Sequence, residues 1–504
     1  MSQLNKIVIV GGGTSGWIAA VAISNQLKGK LCEIELVESQ DISTIGVGEA
    51  VIPPFLTYLK ILGINEKDFI QKTQASFKLG IKFTDWQKVG KSYFHPFGRV
   101  GHKMRGNDFN QCWLKMKAKG AADDFMAYSP SFQMAKEGKF CLFPKMADDS
   151  PAAGVGYALH FDAKLVASYL REQALRNGVK RHVGNVIEVV KNENGNIESL
   201  VLDSAKSING DFFIDCTGFQ ALLIEKCLKT TLENWSEYLP VDRAVTVQTE
   251  NTGEIPPYTE STARDSGWTW KIPLQHRTGN GYVYSSQFCD DESARTTLLA
   301  NVEGALINEP KVIKFKVGVR REMWKNNCLS LGLASGFLEP LESTAIHMVT
   351  RGLQFFLKML PDNNINQPII DEYNRRMYLD HEEIRNFLIL HYGLTERNDT
   401  DFWRYWQSYA LPASLKTKVS LFQSRGYIQE GVDDLFKADS WYAIFLGMGI
   451  FPERYDPIID LMSFDPIENY LQEWQNVLSN SVKKLPSHKA FIEKNCLAKK
   501  ENIK

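Results

Sequence analysis

Apolar and polar positions alternate with two different periods near the start of the chain. Lys6–Val10 is a short apolar run, residues 11–16 are a glycine-rich break, and residues 17–27 place Ile18, Ala19, Val21, Ala22 and Leu27 at helical spacing. A second apolar run over 33–37 ends at Glu38. The pattern predicts strand, turn, helix, strand. Short runs at 186–190, 200–202, Phe212–Asp215 and in the 240s read as further strands separated by turns. From about Met348 the texture changes to long helical stretches rich in aromatics, at 350–360, 369–391, 401–409 and 467–478. There is no internal repeat and no low-complexity segment. We expect an α/β (α+β) chain, with a Rossmann-like nucleotide-binding module over residues 1–350 and a mostly helical module over 351–504 packed on it.

With 504 residues, the chain is long enough for a large core and for two modules sharing an interface. Hydrophobic residues make up 44% and charged residues 23%, ordinary values for a globular protein. A net charge of −1 supplies no overall field for nucleic acid or an anionic membrane, so neither is expected as a partner. The longest strongly apolar stretch, 441–451, is too short to span a bilayer, and Lys6–Val10 is too short for a signal-peptide core. A cytoplasmic location is the expectation. The eight cysteines form no CxxC pair and sit in apolar segments, which predicts reduced core thiols and no metal site.

The break reads Gly11-x-Gly13-Thr14-Ser15-Gly16. Glycines at this spacing allow a tight bend and close approach of backbone to a diphosphate, and the following helix turns free N–H groups toward the anion. Glu38 lies 22 residues past Gly16, where a carboxylate accepts hydrogen bonds from ribose hydroxyls. A dinucleotide is therefore expected. The segment 211–219, containing Asp215, Thr217 and Gly218, resembles the second nucleotide-contacting segment of flavoprotein monooxygenases and points to FAD. Residues 329–336 resemble the turn that reaches the flavin ring in that superfamily. No second G-x-G-x-x-G appears, so reduced flavin is expected from outside the chain.

Residues 76–86 alternate: Phe77, Leu79, Ile81 and Phe83 on one face of a strand, Lys78, Gly80 and Lys82 on the other. Alone, that is an amphipathic strand with solvent-facing lysines. Gly267–Pro273 carries Trp268 and Trp270 one residue apart, on one face of a strand, where an ordinary core aromatic pair is the alternative. In residues 337–347, a proline is followed by Glu-Ser-Thr, a turn opening a helix that Ser343 or Thr344 can cap. Such a helix N-terminus favours anions. His95-Pro96-Phe97 reads equally as a surface turn.

These motifs, in this order from Gly11 to the 450s, resemble the flavin-dependent halogenases, the family typified by the tryptophan halogenases. The resemblance implies that Lys78 is the essential lysine and Glu342 the acid beside it, with Glu339 structural. It implies that Thr344 and Ala345 supply the halide site, where the family often has glycine in place of Ala345. It also implies that Ala50 and Leu338 touch the flavin, and that the Trp268 and Trp270 indoles wall the flavin from the substrate. His95 and Phe97 would flank the aromatic substrate, while Trp441, Tyr442 and Phe451 would close its pocket. The family's amino-acid-clamping residues are not matched in 440–457, so another indole or a phenol is as good a substrate as free tryptophan. His391, Tyr392, Thr395, Arg397, Asp399 and Trp403 read as framework. The implied reaction uses reduced FAD, O2 and chloride, bromide or iodide. Its implied partners are a separate NAD(P)H-dependent flavin reductase and a second copy of the chain. An aromatic hydroxylase on the same fold is the first alternative, and a flavin-binding protein without catalysis the second.

Overall fold

The computed structural model describes residues 4–27, 32–40, 48–142, 154–362 and 366–499. Lys6–Val10 lies inside a six-stranded sheet ordered Trp324–Lys325, Cys328–Ser330, Phe212–Asp215, Lys6–Val10, Glu33–Glu38, Lys180–Val183. Every neighbouring pair is parallel except the edge pair Trp324–Lys325 with Cys328–Ser330. Four of the five Lys6–Val10 residues are buried, as a parallel strand covered on both faces requires. The helix after the glycine turn is Thr14–Leu27 and packs on helices Ala163–Arg176 and Ala345–Lys358. It starts three residues earlier than the apolar spacing suggests, because polar Thr14 and Ser15 already form its first turn. The structure is a mixed α/β fold of the type expected.

A second, seven-stranded sheet runs Lys311–Lys314, Arg243–Thr249, Thr278–Tyr284, Gly267–Pro273, Thr259–Arg264, Gly80–Thr84, Ser92–Pro96. Its pairs are antiparallel except Thr259–Arg264 with Gly80–Thr84. The single strand expected over 76–86 is two strands. Ser76–Lys78 pairs with Ala158–Asp162 in a separate three-stranded sheet, and Gly80–Thr84 joins the seven-stranded one. At the switch, Leu79 N–H donates to the Pro257 carbonyl, and the Phe97 N–H donates to that of Leu79. The two lysines therefore part company. Lys78 is fully buried, whereas Lys82 stays partly exposed and pairs with Glu260 at 3.2 Å.

The later helices include Gln367–Gly393, Asp401–Ser408, Ala438–Gly447 and Phe464–Lys483. Position 350, the expected module boundary, lies within helix Ala345–Lys358. One continuous apolar core contains Leu4 and Ile7 together with Trp441, Leu478 and Cys496. The C-terminal end reaches back as well: buried His488 accepts the Phe77 N–H at 3.1 Å, one residue from Lys78. All eight cysteines are free thiols, and among the described residues no cluster could hold a metal. No described helix is long and apolar enough to cross a membrane.

Candidate active site

A cavity of about 970 Å³ opens beside the glycine turn. Gly11, Gly13, Thr14, Ser15, Glu38, Ala50, Gly218 and Leu338 all line it. The backbone shows why glycines stand there. Gly11 has φ +118°, and a Cβ on it would run into the Cys216 carbonyl. A Cβ on Gly16 would strike the Gly11 carbonyl, whereas Gly13 faces open space. That cradle admits a diphosphate against bare backbone. Glu38 ends its strand at the cavity and accepts from Arg181 Nε at 2.5 Å. Asp215, fully buried, accepts from the N–H groups of Thr217, Leu223 and Ile224 and so fixes the turn that carries Gly218. Gly332, at φ +63°, brings the 329–336 turn against Ser15. These residues fit a dinucleotide with a flavin ring.

Trp268 and Trp270 also line the cavity, with ring centroids 6.0 Å apart. Gly281 on the neighbouring strand leaves the space that the Trp270 indole fills. Trp268 is 2% exposed, and its Nε1 donates to Glu339 Oε2 at 3.0 Å. Its far side approaches Trp86, whose centroid is 6.3 Å away.

Lys78 does not itself line this cavity. Its Nζ donates to Ser343 Oγ at 2.8 Å and lies 5.1 Å from the Phe97 ring centroid. Burial lowers its pKa to about 7, against an opposing pull from Glu342. Glu342 is fully buried. His95 Nδ1 is 2.9 Å from Oε2, and His391 Nε2 is 3.0 Å from Oε1, an ion-pair separation without a well-directed hydrogen bond. Burial pushes the Glu342 carboxyl up, but His95 and His391 outweigh it and hold it down to about 2. Burial keeps the His391 pKa low, and Tyr93 Oη lies 2.8 Å from its Nδ1.

The surface-turn reading of His95-Pro96-Phe97 fails: His95 is 2% exposed and lies near the buried end of edge strand Ser92–Pro96, and Phe97 is buried as well. The expected side-chain cap is absent too. Thr344 makes no capping bond, and Ser343, held at φ +59°, is a partner of Lys78 instead. Thr344, Ala345 and Ile346 therefore line the cavity at an uncapped helix N-terminus. Trp441 is buried one ring behind His95, edge-on to Phe387, with its Nε1 donating to the Phe436 carbonyl. Tyr442 is packed between Phe125 and Phe422, its hydroxyl donating to the Gly426 carbonyl, and Phe451 is exposed. These three do not converge on Lys78.

Two framework readings miss direct partners of the acids. His391 contacts Glu342, and Tyr392 Oη donates to Glu339 Oε2 at 2.8 Å. A His-Tyr pair closing the apolar run 387–390 is the available signal, because polar groups inside a buried helix need partners. Thr395, Arg397 and Trp403 tie loops together through the carbonyls of Trp86, Asp85 and Arg264, and Asp399 pairs with Arg397.

Comparison with known proteins agrees with this geometry. The model of the tryptophan halogenase family matches residues 6–463. Tryptophan 6-halogenase SttH of Streptomyces toxytricini is 32% identical over 482 residues, covering 91% of this chain and 92% of its own. Among solved structures, the flavin-dependent halogenase Xcc4156 of Xanthomonas campestris superposes with TM-score 0.94 at 41% identity, covering 99% of both chains. BrvH, a flavin-dependent halogenase from Brevundimonas sp. BAL3, superposes with TM-score 0.93 at 38% identity, covering 97% of this chain and 99% of its own. With a glycine cradle at the cavity and a buried lysine bonded to Ser343 on its lining, the chain belongs to the tryptophan halogenase family of flavin-dependent halogenases.

Proposed function

We propose that this enzyme transfers an electrophilic halogen from Lys78 to an electron-rich aromatic carbon of an indole or phenol. The observation that carries the reading is the placement of Lys78: fully buried, facing Phe97, and bonded to Ser343, which lines the cofactor cavity together with Trp268 and Trp270. Bound FAD, reduced by a separate NAD(P)H-dependent reductase, supplies the two-electron activation of O2 by which halide becomes hypohalous acid.

The protein's own residues do the rest. The glycine turn and Glu38 hold the dinucleotide, and the uncapped N–H groups at Thr344–Ile346 offer halide the positive end of a helix. With a pKa near 7, Lys78 is present as both amine and ammonium at neutral pH. The ammonium holds hypohalous acid by hydrogen bonding. The amine attacks its halogen, forming N–X and releasing hydroxide, which combines with the lost amine proton as water. Either form fixes the halogen against the ring, where orientation supplies much of the rate. When the aromatic carbon takes the halogen from the haloamine, the N–X pair returns to nitrogen, which is protonated as the bond breaks and so regains the amine. The proton lost by the ring balances the one nitrogen takes up. Glu342, ionised between two histidines, stabilises the cationic ring and accepts its proton.

SttH and RebH of Lentzea aerocolonigenes are named as tryptophan halogenases. Here Trp441 and Tyr442 are spent in the core, which favours an aromatic without an amino-acid head to be clamped. The match to the halogenase family along the chain disfavours a hydroxylase. Lys78→Ala tests the proposal: flavin oxidation continues while halogenated product disappears, and full halogenation by the variant would refute the lysine's role.

A further inference from the structure

Glu339 is 2% exposed and lines the cofactor cavity beside Trp268. Both donors that reach it, Trp268 Nε1 and Tyr392 Oη, go to Oε2. Oε1 is buried and has no hydrogen-bond partner among the described residues. An indole N–H only donates, so Oε2 already accepts two hydrogens and a proton on this carboxyl belongs on Oε1. A buried ionised carboxylate without a cation is expensive, and no Lys, Arg or His comes within ion-pair distance of Glu339 among the described residues. Burial raises its pKa to about 7, although the two bonds to Oε2 pull the other way.

The titratable neighbour on helix Gln367–Gly393 is Tyr392, itself held neutral by burial and by Glu339. Strand Gly267–Pro273 contributes only the indole. Four residues along the same segment, Ser343 lines the cavity and touches Lys78. Residues 339–343 thus join the cofactor cavity to the lysine.

We propose that Glu339 is a positioning residue in this passage, a neutral acid whose Oε1–H holds hypohalous acid by a hydrogen bond on its way to Lys78. Ionisation turns that donor into an acceptor and a repulsive charge, so that oxidant is lost to solvent. The proposal rests on the halogenase reading.

The first readout needs no turnover. Infrared difference spectra between pH 6 and pH 9 read the C=O stretch of buried protonated carboxyls in the purified protein. Glu49, Glu383 and Asp439 contribute similar bands, their pKa values also raised to about 7 chiefly by burial. The component removed by Glu339→Gln is expected to be present at pH 6 and lost by pH 9. If the Gln variant removes no such component, the protonated state is refuted.

The second readout is the share of oxidant that reaches an indole rather than monochlorodimedone in solution, with bromide, FAD and a flavin reductase. The Gln variant keeps an N–H donor at the Oε1 position and is expected to retain coupling while losing the fall in coupling above pH 7. Glu339→Leu removes the donor and is expected to raise escape by up to about tenfold, the worth of one uncharged hydrogen bond. Wild-type coupling that is flat with pH, or a Leu variant coupled like wild type at pH 6, would overturn the role. Should the Leu variant not fold, the pH profile of the Gln variant decides. A wild-type protein that forms no hypohalous acid, yet shows the infrared component, would refute the halogenase reading and the role together while leaving the protonation state established.

Discussion

Lys78 Nζ and Ser343 Oγ are 2.8 Å apart across 265 positions of sequence. Ser343 also lines the cofactor cavity, so the residue that bonds the amine borders that cavity as well. The contact exists because the chain changes sheets at Leu79, turning Lys78 inward, and because Ser343 adopts φ +59° at the start of its helix.

The buried amine carries a stability cost with a definite pH window. The Lys78 pKa falls from 10.5 to about 7 on folding, so between those values the unfolded chain binds more protons. The cost is complete below pH 7 and fades as pH rises toward 10. Each unit of lowering corresponds to about 1.4 kcal/mol, so Lys78→Met is predicted to stabilise the fold by on the order of several kcal/mol at pH 7. Thermal unfolding of both proteins from pH 6 to pH 10 checks this: the gain in Tm shrinks as pH rises.

Glu342 has the opposite sign. Its carboxyl is held at about 2 against an ordinary 4.5, so the stabilisation it provides is present above pH 4.5 and is lost as pH falls toward 2. Glu342→Gln is predicted to flatten the acid limb of the stability curve in that window. The same variant is predicted to lower halogenated product by about a hundredfold, as loss of a proton acceptor does, without slowing flavin oxidation. Urea unfolding between pH 2 and pH 5 and single-turnover product yields measure the two effects separately.

Trp268 joins the wall to Glu339 through its N–H. Trp268→Phe removes that donor and part of the indole pair, leaving Tyr392 as the donor to Oε2. It is predicted to fold with a loss of about 1–3 kcal/mol from the missing ring volume and the lost hydrogen bond. Product per flavin oxidised is predicted to fall by about tenfold, the cost of a displaced passage. Parallel assays of flavin oxidation and halogenated product detect the uncoupling.

Much of this was legible in the sequence where one backbone demand selects one residue. Gly11 and Gly16 follow from close approach of backbone to backbone, Gly13 from the open space left for a ligand, and Gly267–Pro273 from a strand that sets two indoles side by side. The strand switch at Leu79 was not legible, because Phe77, Leu79, Ile81 and Phe83 are all buried and the alternation runs on unbroken. The partners of Glu342 and Glu339 were hidden for a related reason. His391 and Tyr392 are bound to acids about fifty residues away along the chain, and nothing in local periodicity marks a buried polar pair as serving a site. Ser343 looked like a helix cap because Ser at such a position usually caps. Tertiary contact with Lys78 took precedence. Trp441 and Tyr442 looked like pocket walls by type alone, and packing with Phe387 and Phe422 placed them in the core.

The most direct test of the account is mass spectrometry of an indole and phenol panel incubated with the enzyme, FAD, a generic flavin reductase and NADH. Chloride, bromide and iodide are supplied in separate tubes. The account predicts products shifted by the mass of the halogen supplied, present with wild type and absent with Lys78→Ala, while both proteins oxidise reduced flavin at similar rates. Oxygenated products formed without halide, or halogenated products that survive in Lys78→Ala, would contradict it.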